Sequence, residues 1–322
     1  MDLNETQARK ISKLYKLRNF VSLEKIPWGS VNDTYLLKTK KGKFIIQVIL
    51  TELSIFKRRQ LTLQFKVLSH LKRNEFPYEV PSPIAYSGRK YLANVDGFNL
   101  WVYKYIEGEF HLSFDIEQFR EVSKALALYH QEVMKIDHED DSFIGSMSGL
   151  GKKWKVLKKK GLPDNPDNLD IYLFNNIDFI ESVIQQLKKT NLAKNMLLAH
   201  SDFHNENLIF RSGKLTGIID FDNISFSPRV KDIILAINKS KHHSGYGINK
   251  RKRDTFLKVY EGILPLPKRE KNLMKLVLIK DNFETIFWLY NHERMDRKRK
   301  YDNIVSIIKQ TKNLVKEVFD KI

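Results

Sequence analysis

The sequence predicts an α+β chain in which a small β-rich lobe precedes a larger, mainly helical lobe. Three observations lead there. Between residues 20 and 50, short β-type runs (FVSLEKI, TYLLKT and KFIIQVIL) are separated by the turn signals WGSVND and KTKKGK. From Glu109 onward, apolar residues recur mostly at helical spacing, as in FDIEQFREVSKALALYHQEVMK and NNIDFIESVIQQLKKT. Between residues 196 and 222, β-type pieces return (MLLAH, NLIF and LTGIIDF), placing a hairpin inside the helical half.

Residues 2–19 carry Ile11, Leu14 and Leu17 at helical spacing, so a helix opens the chain. The three runs that follow read as an antiparallel meander. In residues 55–73, Leu61, Phe65, Leu68 and Leu71 recur on one face of a basic amphipathic helix. PYEVPSPIAYSG is proline-rich and extended. It leads into KYLANV and FNLWVYKYI, joined by a turn at Asp96-Gly97. Arg211-Ser212-Gly213-Lys214 closes the later hairpin, and from about residue 229 the pattern is helical again. The lobes divide as 1–106 and 107–322.

Composition narrows the function. With 56 Lys+Arg against 38 Asp+Glu, the net charge is +18. There is no cysteine, so disulfides, thiolate metal sites and thiol nucleophiles are excluded. No apolar run approaches the roughly 20 residues that cross a bilayer, so no membrane partner is expected. The opening MDLNETQARKISKLYKL lacks the apolar core of a signal peptide, which makes a cytoplasmic location the expectation. The basic runs at Lys57-Arg58-Arg59, Lys152 to Lys160, Lys250 to Arg253 and Arg297 to Lys300 hold a single aromatic, Trp154, rather than a series of interleaved aromatic platforms, and no reader motif accompanies them, which argues against nucleic acid.

The chemistry concentrates in His200-Ser201-Asp202-Phe203-His204-Asn205-Glu206-Asn207, followed by Ile219-Asp220-Phe221-Asp222. Taken singly, such residues form loops and cap helices. In combination they suit phosphoryl transfer, which needs a carboxylate for the acceptor hydroxyl and oxygen ligands for Mg²⁺. The spacing from His200 through Asp202 to Asn207 equals that of a kinase catalytic loop, and Asp220 follows where a metal-binding Asp belongs. A metal-only site of His200, Asp202 and His204 is a weaker reading, because no hydrolytic signature accompanies it.

The stretch LLAHSDFHNENLIFRSGKLTGIIDFDNISFSPRVKDI resembles the catalytic region of the aminoglycoside phosphotransferase and choline kinase-like superfamily. The resemblance implies a two-lobe protein kinase-like fold and a small-molecule kinase using ATP or GTP with Mg²⁺. By position it implies Asp202 as catalytic base and Asn207 and Asp220 as Mg²⁺ ligands. Asp222, His200 and His204 would be accessory, with His200 anchoring the loop. Pro228 and Asp232 resemble structural positions of the family. GSVNDTYLL resembles its nucleotide-covering hairpin, implying phosphate contacts at Gly29, Ser30 and Asn32. VYKYIEGE resembles its hinge, implying adenine pairing at Lys104, Tyr105 and Ile106. KALALYHQEV resembles the helix behind its active site.

Two departures stand out. Ser201 occupies a position where the superfamily usually has Gly. Gln47 stands on the third strand where kinase-like folds carry a phosphate-binding Lys, and Gln64 on the next helix replaces the Glu that pairs with it, so an amide pair is expected instead of an ion pair. Lys25, Lys57, Arg58 or Arg59 could then supply positive charge. A catalytically weak or inactive kinase-like binding module is the alternative. Activity is favoured, since Asp202, Asn207 and Asp220 are all retained. The charge of +18 favours a neutral or anionic acceptor over a polycation. Trp154, Tyr172, Phe174, Tyr246, Phe283, Trp288 and Tyr290 are candidates for the acceptor's walls, each with core packing as its ordinary use.

Overall fold

The computed structural model describes residues 2–27, 32–137, 147–190, 192, 196–238, 250–292 and 295–319. Its contacts divide into two compact units: Met1–Phe110 with Asn207–Ile224, and His111–Glu206 with Ser225–Ile322.

The first unit is built on a five-stranded antiparallel sheet. Its strands are β1 (Phe20–Ile26), β2 (Asp33–Thr39), β3 (Gly42–Val48), β4 (Ala93–Val95) and β5 (Phe98–Lys104), in the order β1-β2-β3-β5-β4. Alternation decides which face each residue serves. Phe44, Ile46 and Val48 of β3 join Leu100 and Val102 of β5 in a core shared with Ala8, Ile11 and Tyr15. These last three come from helix α1 (Glu5–Leu14), capped by Asn4, and the residue that ends it. Gln47 has the other parity. It pairs with Thr34 and Trp101, and the Trp101 ring packs edge-on against Phe65 of helix α2 (Ile55–Arg73). The β4–β5 turn has Asp96 at φ 50° and Gly97 at φ 90°, the left-handed pair that a two-residue hairpin needs.

The same unit contains a second hairpin, β7 (Leu208–Arg211) with β8 (Lys214–Ile218). It is tied to the segment after β5 by reciprocal backbone bonds between Glu109 and Phe210, both 2.9 Å. Gly108 makes this approach possible. At φ 143°, any Cβ there would collide with the Phe210 carbonyl and the Ile209 side chain.

The second unit is helical. Helix α3 (Ile116–Val133) packs on α8 (Lys250–Ile263), and the helix α7 (Val230–Asn238) packs on α9 (Lys268–Asn291). A separate core gathers α4 (Met147–Lys160), α5 (Asn168–Phe174), α6 (Ile177–Lys188), α9 and α10 (Arg297–Phe319) around Trp154, Phe283 and Ile304. One two-stranded ladder, β6 (Met196–Ala199) with β9 (Ser225–Pro228), accompanies the helices. The sequence predicts β6 but not β9, whose Ser-Phe-Ser-Pro run has no apolar alternation. Among the described residues, no helix is long and apolar enough to cross a membrane.

Candidate active site

In the helical unit, β6 delivers the chain into His200, Ser201 and Asp202. A buried carboxylate from α7 fixes this bend. Asp232 accepts the backbone N–H of His200 at 2.8 Å and of Ser201 at 2.7 Å. His130 Nε2 donates to the same carboxylate at 3.1 Å, and Tyr260 Oη lies 2.6 Å from His130 Nδ1. Both His130 and Asp232 are fully buried. Burial lowers the pKa of His130, so the ring is neutral: its Nε2–H donates to Asp232 and its Nδ1 accepts a hydrogen bond from the Tyr260 hydroxyl. Burial pushes Asp232 upward, but its hydrogen bonds from His130 and the loop backbone outweigh that and hold it below the ordinary carboxylate value. Ser201, where the superfamily usually has Gly, adopts φ 63°. Its left-handed backbone is secured by Asp232 and by its Oγ, 2.7 Å from Ser225 Oγ. Tyr129 donates to the Leu198 carbonyl at 2.8 Å and braces β6 on α3. His200 is buried beneath the loop, with its ring edge-on to Tyr129 and Phe203.

Asp202 is oriented by His204. The buried imidazole accepts the Glu206 backbone N–H at Nδ1, 3.3 Å, which leaves the proton on Nε2 to donate to Asp202 Oδ1 at 3.2 Å. Asn205 Nδ2 donates to the carbonyls of His111 and Leu112.

In the sheet-containing unit, the Asn207 carbonyl accepts the Ile219 N–H at 2.9 Å, bringing the segment after β8, which carries Asp220, back beside Asn207. Asp220 has φ 60° and ψ 63°, a left-handed conformation that Asp tolerates better than most side chains. Such strain clusters at functional sites. One carboxylate and one amide oxygen are a hard-oxygen donor pair. They fit Mg²⁺, which takes few protein ligands and keeps water and phosphate oxygens. Among the described residues, no three His, Cys, Asp or Glu side chains gather to hold a metal.

Asp222 gathers the residues at which the sequence departs from a kinase pattern. Its Oδ2 accepts Asn32 Nδ2 at 2.5 Å and Gln47 Nε2 at 2.8 Å, and its Oδ1 accepts Gln64 Nε2 at 2.8 Å. Gln60 Nε2 donates to its backbone carbonyl at 2.7 Å. Gln47 and Gln64 therefore meet through a carboxylate, which corrects the expected direct amide pair. Two amides share Nε2–H donors readily with an anion between them. Burial raises the pKa of Asp222, and the Lys57 charge and the three amide donors only partly offset it.

The remaining predicted positions separate clearly. Tyr105 and Ile106 follow β5, with Tyr105 N–H on the Lys43 carbonyl at 3.1 Å, Lys104 exposed and Ile106 buried. Gly29, Ser30 and Tyr246 lie outside the described residues. Trp154 and Phe283 are fully buried core. Tyr290 donates to Asp170, and Trp288 is exposed and stacked on His292. Gln60, His130 and Tyr260 were not singled out from the sequence. The spacing of Gln60 and Gln64, one helical turn apart, was the available signal for the first.

The chain is 23% identical to a homoserine kinase of Bartonella henselae over 278 residues, 86% of this chain and 82% of the relative. It is 24% identical to a homoserine kinase of Bartonella tribocorum, with the same coverage. A microcompartment-associated aminopropanol kinase shares the fold, with a TM-score of 0.70 at 15% identity over 98% of both chains. The fold is thus the α+β, protein kinase-like one that the sequence predicts. The sequence model described as the phosphotransferase enzyme family matches residues 22–262, well over half of the chain. The protein is a phosphotransferase acting on hydroxyl groups, and it belongs to the phosphotransferase enzyme family.

Proposed function

We propose that the protein transfers the γ-phosphoryl group of ATP to the hydroxyl of a small amino alcohol, with homoserine the first acceptor to test. The observation that carries this reading is Asp202, whose Oδ1 is oriented by Nε2 of the buried His204 while the Nδ1 of that ring faces the Glu206 backbone N–H. A carboxylate oriented in that way can accept the proton of an attacking hydroxyl as the new P–O bond forms. Asn207 and Asp220 would hold Mg²⁺, which when bound offsets the charge on the phosphates. Asp232 would keep the loop bent so that Asp202 is presented without reorganisation. The homoserine kinases similar across most of this chain support the acceptor class. The retained Asp202, Asn207 and Asp220 count against an inactive binding module.

The test is a panel of homoserine, small amino alcohols, sugars and aminoglycosides incubated with Mg²⁺ and either ATP or GTP, read by ³¹P NMR. A new phosphoester with homoserine or another amino alcohol, formed faster with ATP, is expected. Phosphorylation confined to aminoglycosides would refute the acceptor class, and no transfer to any acceptor would refute the activity.

A further inference from the structure

We propose that Lys57 is the phosphate-binding cation of the nucleotide site and that Asp222 is its carboxylate counterpart. The two would jointly replace the strand lysine and helix glutamate of an ordinary kinase-like fold. This rests on the reading of the protein as a nucleotide-dependent phosphotransferase.

The positions of the missing charges are occupied by Gln47 on β3 and Gln64 on α2. Both have turned their amide N–H groups onto Asp222. The negative charge has therefore moved from the helix to the turn after β8, and neutral donors from strand and helix now clasp it. A carboxylate in such a place repels a triphosphate unless a cation stands close by.

Lys57 meets that need by geometry. Its Nζ donates to Gln60 Oε1 at 3.1 Å, while Gln60 Nε2 donates to the Asp222 carbonyl at 2.7 Å, so one glutamine links ammonium and hub. Lys57 is half-buried and forms no salt bridge among the described residues. The other candidates are committed or turned outward. Lys25 is bound by Asp2 at 2.6 Å and Asp33 at 3.1 Å, Arg58 donates to the Leu53 carbonyl from an exposed position, and Arg59 is exposed. The first turn of α2 carries no acidic residue. A lysine there opposes the helix dipole, a placement that an anionic ligand makes favourable. Each glutamine amide also keeps a second N–H, beyond the one given to Asp222, that can face a phosphate oxygen.

The test is calorimetric binding of a non-hydrolysable ATP analogue with Mg²⁺, and separately of adenosine, to the full chain. Lys57→Met should weaken the analogue about ten- to a hundredfold, as loss of one charge-assisted hydrogen bond implies. Adenosine affinity should stay unchanged, and Lys25→Met should match the wild type for both ligands. Adding Gln47→Lys to Lys57→Met should restore at least half of the lost affinity on a logarithmic scale. Unchanged analogue binding by Lys57→Met overturns the assignment, as does an equal loss for adenosine. No recovery in the double variant overturns the idea that the two positions supply one interchangeable charge. A wild type that binds neither ligand overturns the nucleotide-dependent reading itself.

Discussion

Two aspartates, Asp232 fully buried and Asp222 half-buried, lie ten residues apart in sequence and solve the same problem in different ways. Asp232 is met by two backbone N–H groups and an imidazole, and its carboxylate is held below the ordinary pKa range. Asp222 is met by three side-chain amides, and burial still pushes it above that range. The donors differ in rigidity. Backbone dipoles fixed by a bend and a helix cannot turn away, so they stabilise the anion fully. Amides on flexible stems must be ordered to do so, and that ordering costs side-chain entropy. Asp232 thus serves as a structural rivet, whereas Asp222 is an adjustable node whose partners can respond to a ligand.

The largest consequence concerns the rivet. Asp232→Ala leaves the N–H groups of His200 and Ser201 and the ring of His130 without their acceptor. We expect a stability loss of about 3–5 kcal/mol, the range for breaking a buried charged network. Chemical denaturation would measure it, and a loss under about 1 kcal/mol would mean that the loop is held by something else. Asp222→Asn should cost less, about 1–2 kcal/mol, because the carboxamide oxygen still accepts some of the amide donors. Denaturation of this variant beside Asp232→Ala tests the difference in rigidity, and equal losses would remove it.

Titration separates the pair by sign. The folded pKa of Asp222 lies above its ordinary 3.8, so the native state takes up that proton first. Its contribution to stability therefore rises as pH falls from the folded pKa toward 3.8. Asp232 lies below 3.8, so its contribution is complete above that pH and is lost as acid carries the solution through the folded value. Stability profiles of wild type and Asp222→Asn should accordingly diverge on acidification toward pH 3.8, with the wild type gaining relative to the variant. Parallel profiles would show that Asp222 is not raised. The smallest effect is expected at Ser201→Gly. Relief of the left-handed backbone and loss of the bond to Ser225 are each worth about 1 kcal/mol and oppose one another. The net change should stay within about 1 kcal/mol, and a loss beyond 2 kcal/mol would assign the hydroxyl a larger role.

What could be read in the sequence followed short-range physics. The meander, the turn at Asp96-Gly97 and helix α2 were legible because alternation, left-handed turn residues and helical spacing are local signals. The Asp202 loop was legible because its spacing is fixed within eight residues. β9 was hidden, since Ser225–Pro228 becomes a strand only by pairing with β6. The Asp222 node was hidden for the same reason: its amide donors lie 158 to 190 residues away in sequence. Nothing local tells a glutamine which anion it will find. The charge of +18 was a poor guide to the site, where the ligands of greatest interest are carboxylates and neutral amides.

The chemistry itself turns on one carboxylate. The most direct measurement is the rate of Mg²⁺- and ATP-dependent phosphorylation of homoserine by the wild type and by Asp202→Asn, with thermal unfolding of both as the control. We expect the wild type to form the phosphoester and the variant to be slower by about 10²–10⁴-fold, the usual contribution of a general base, with an unchanged Tm. A folded Asp202→Asn protein that turns over as fast as the wild type would contradict the role assigned to Asp202.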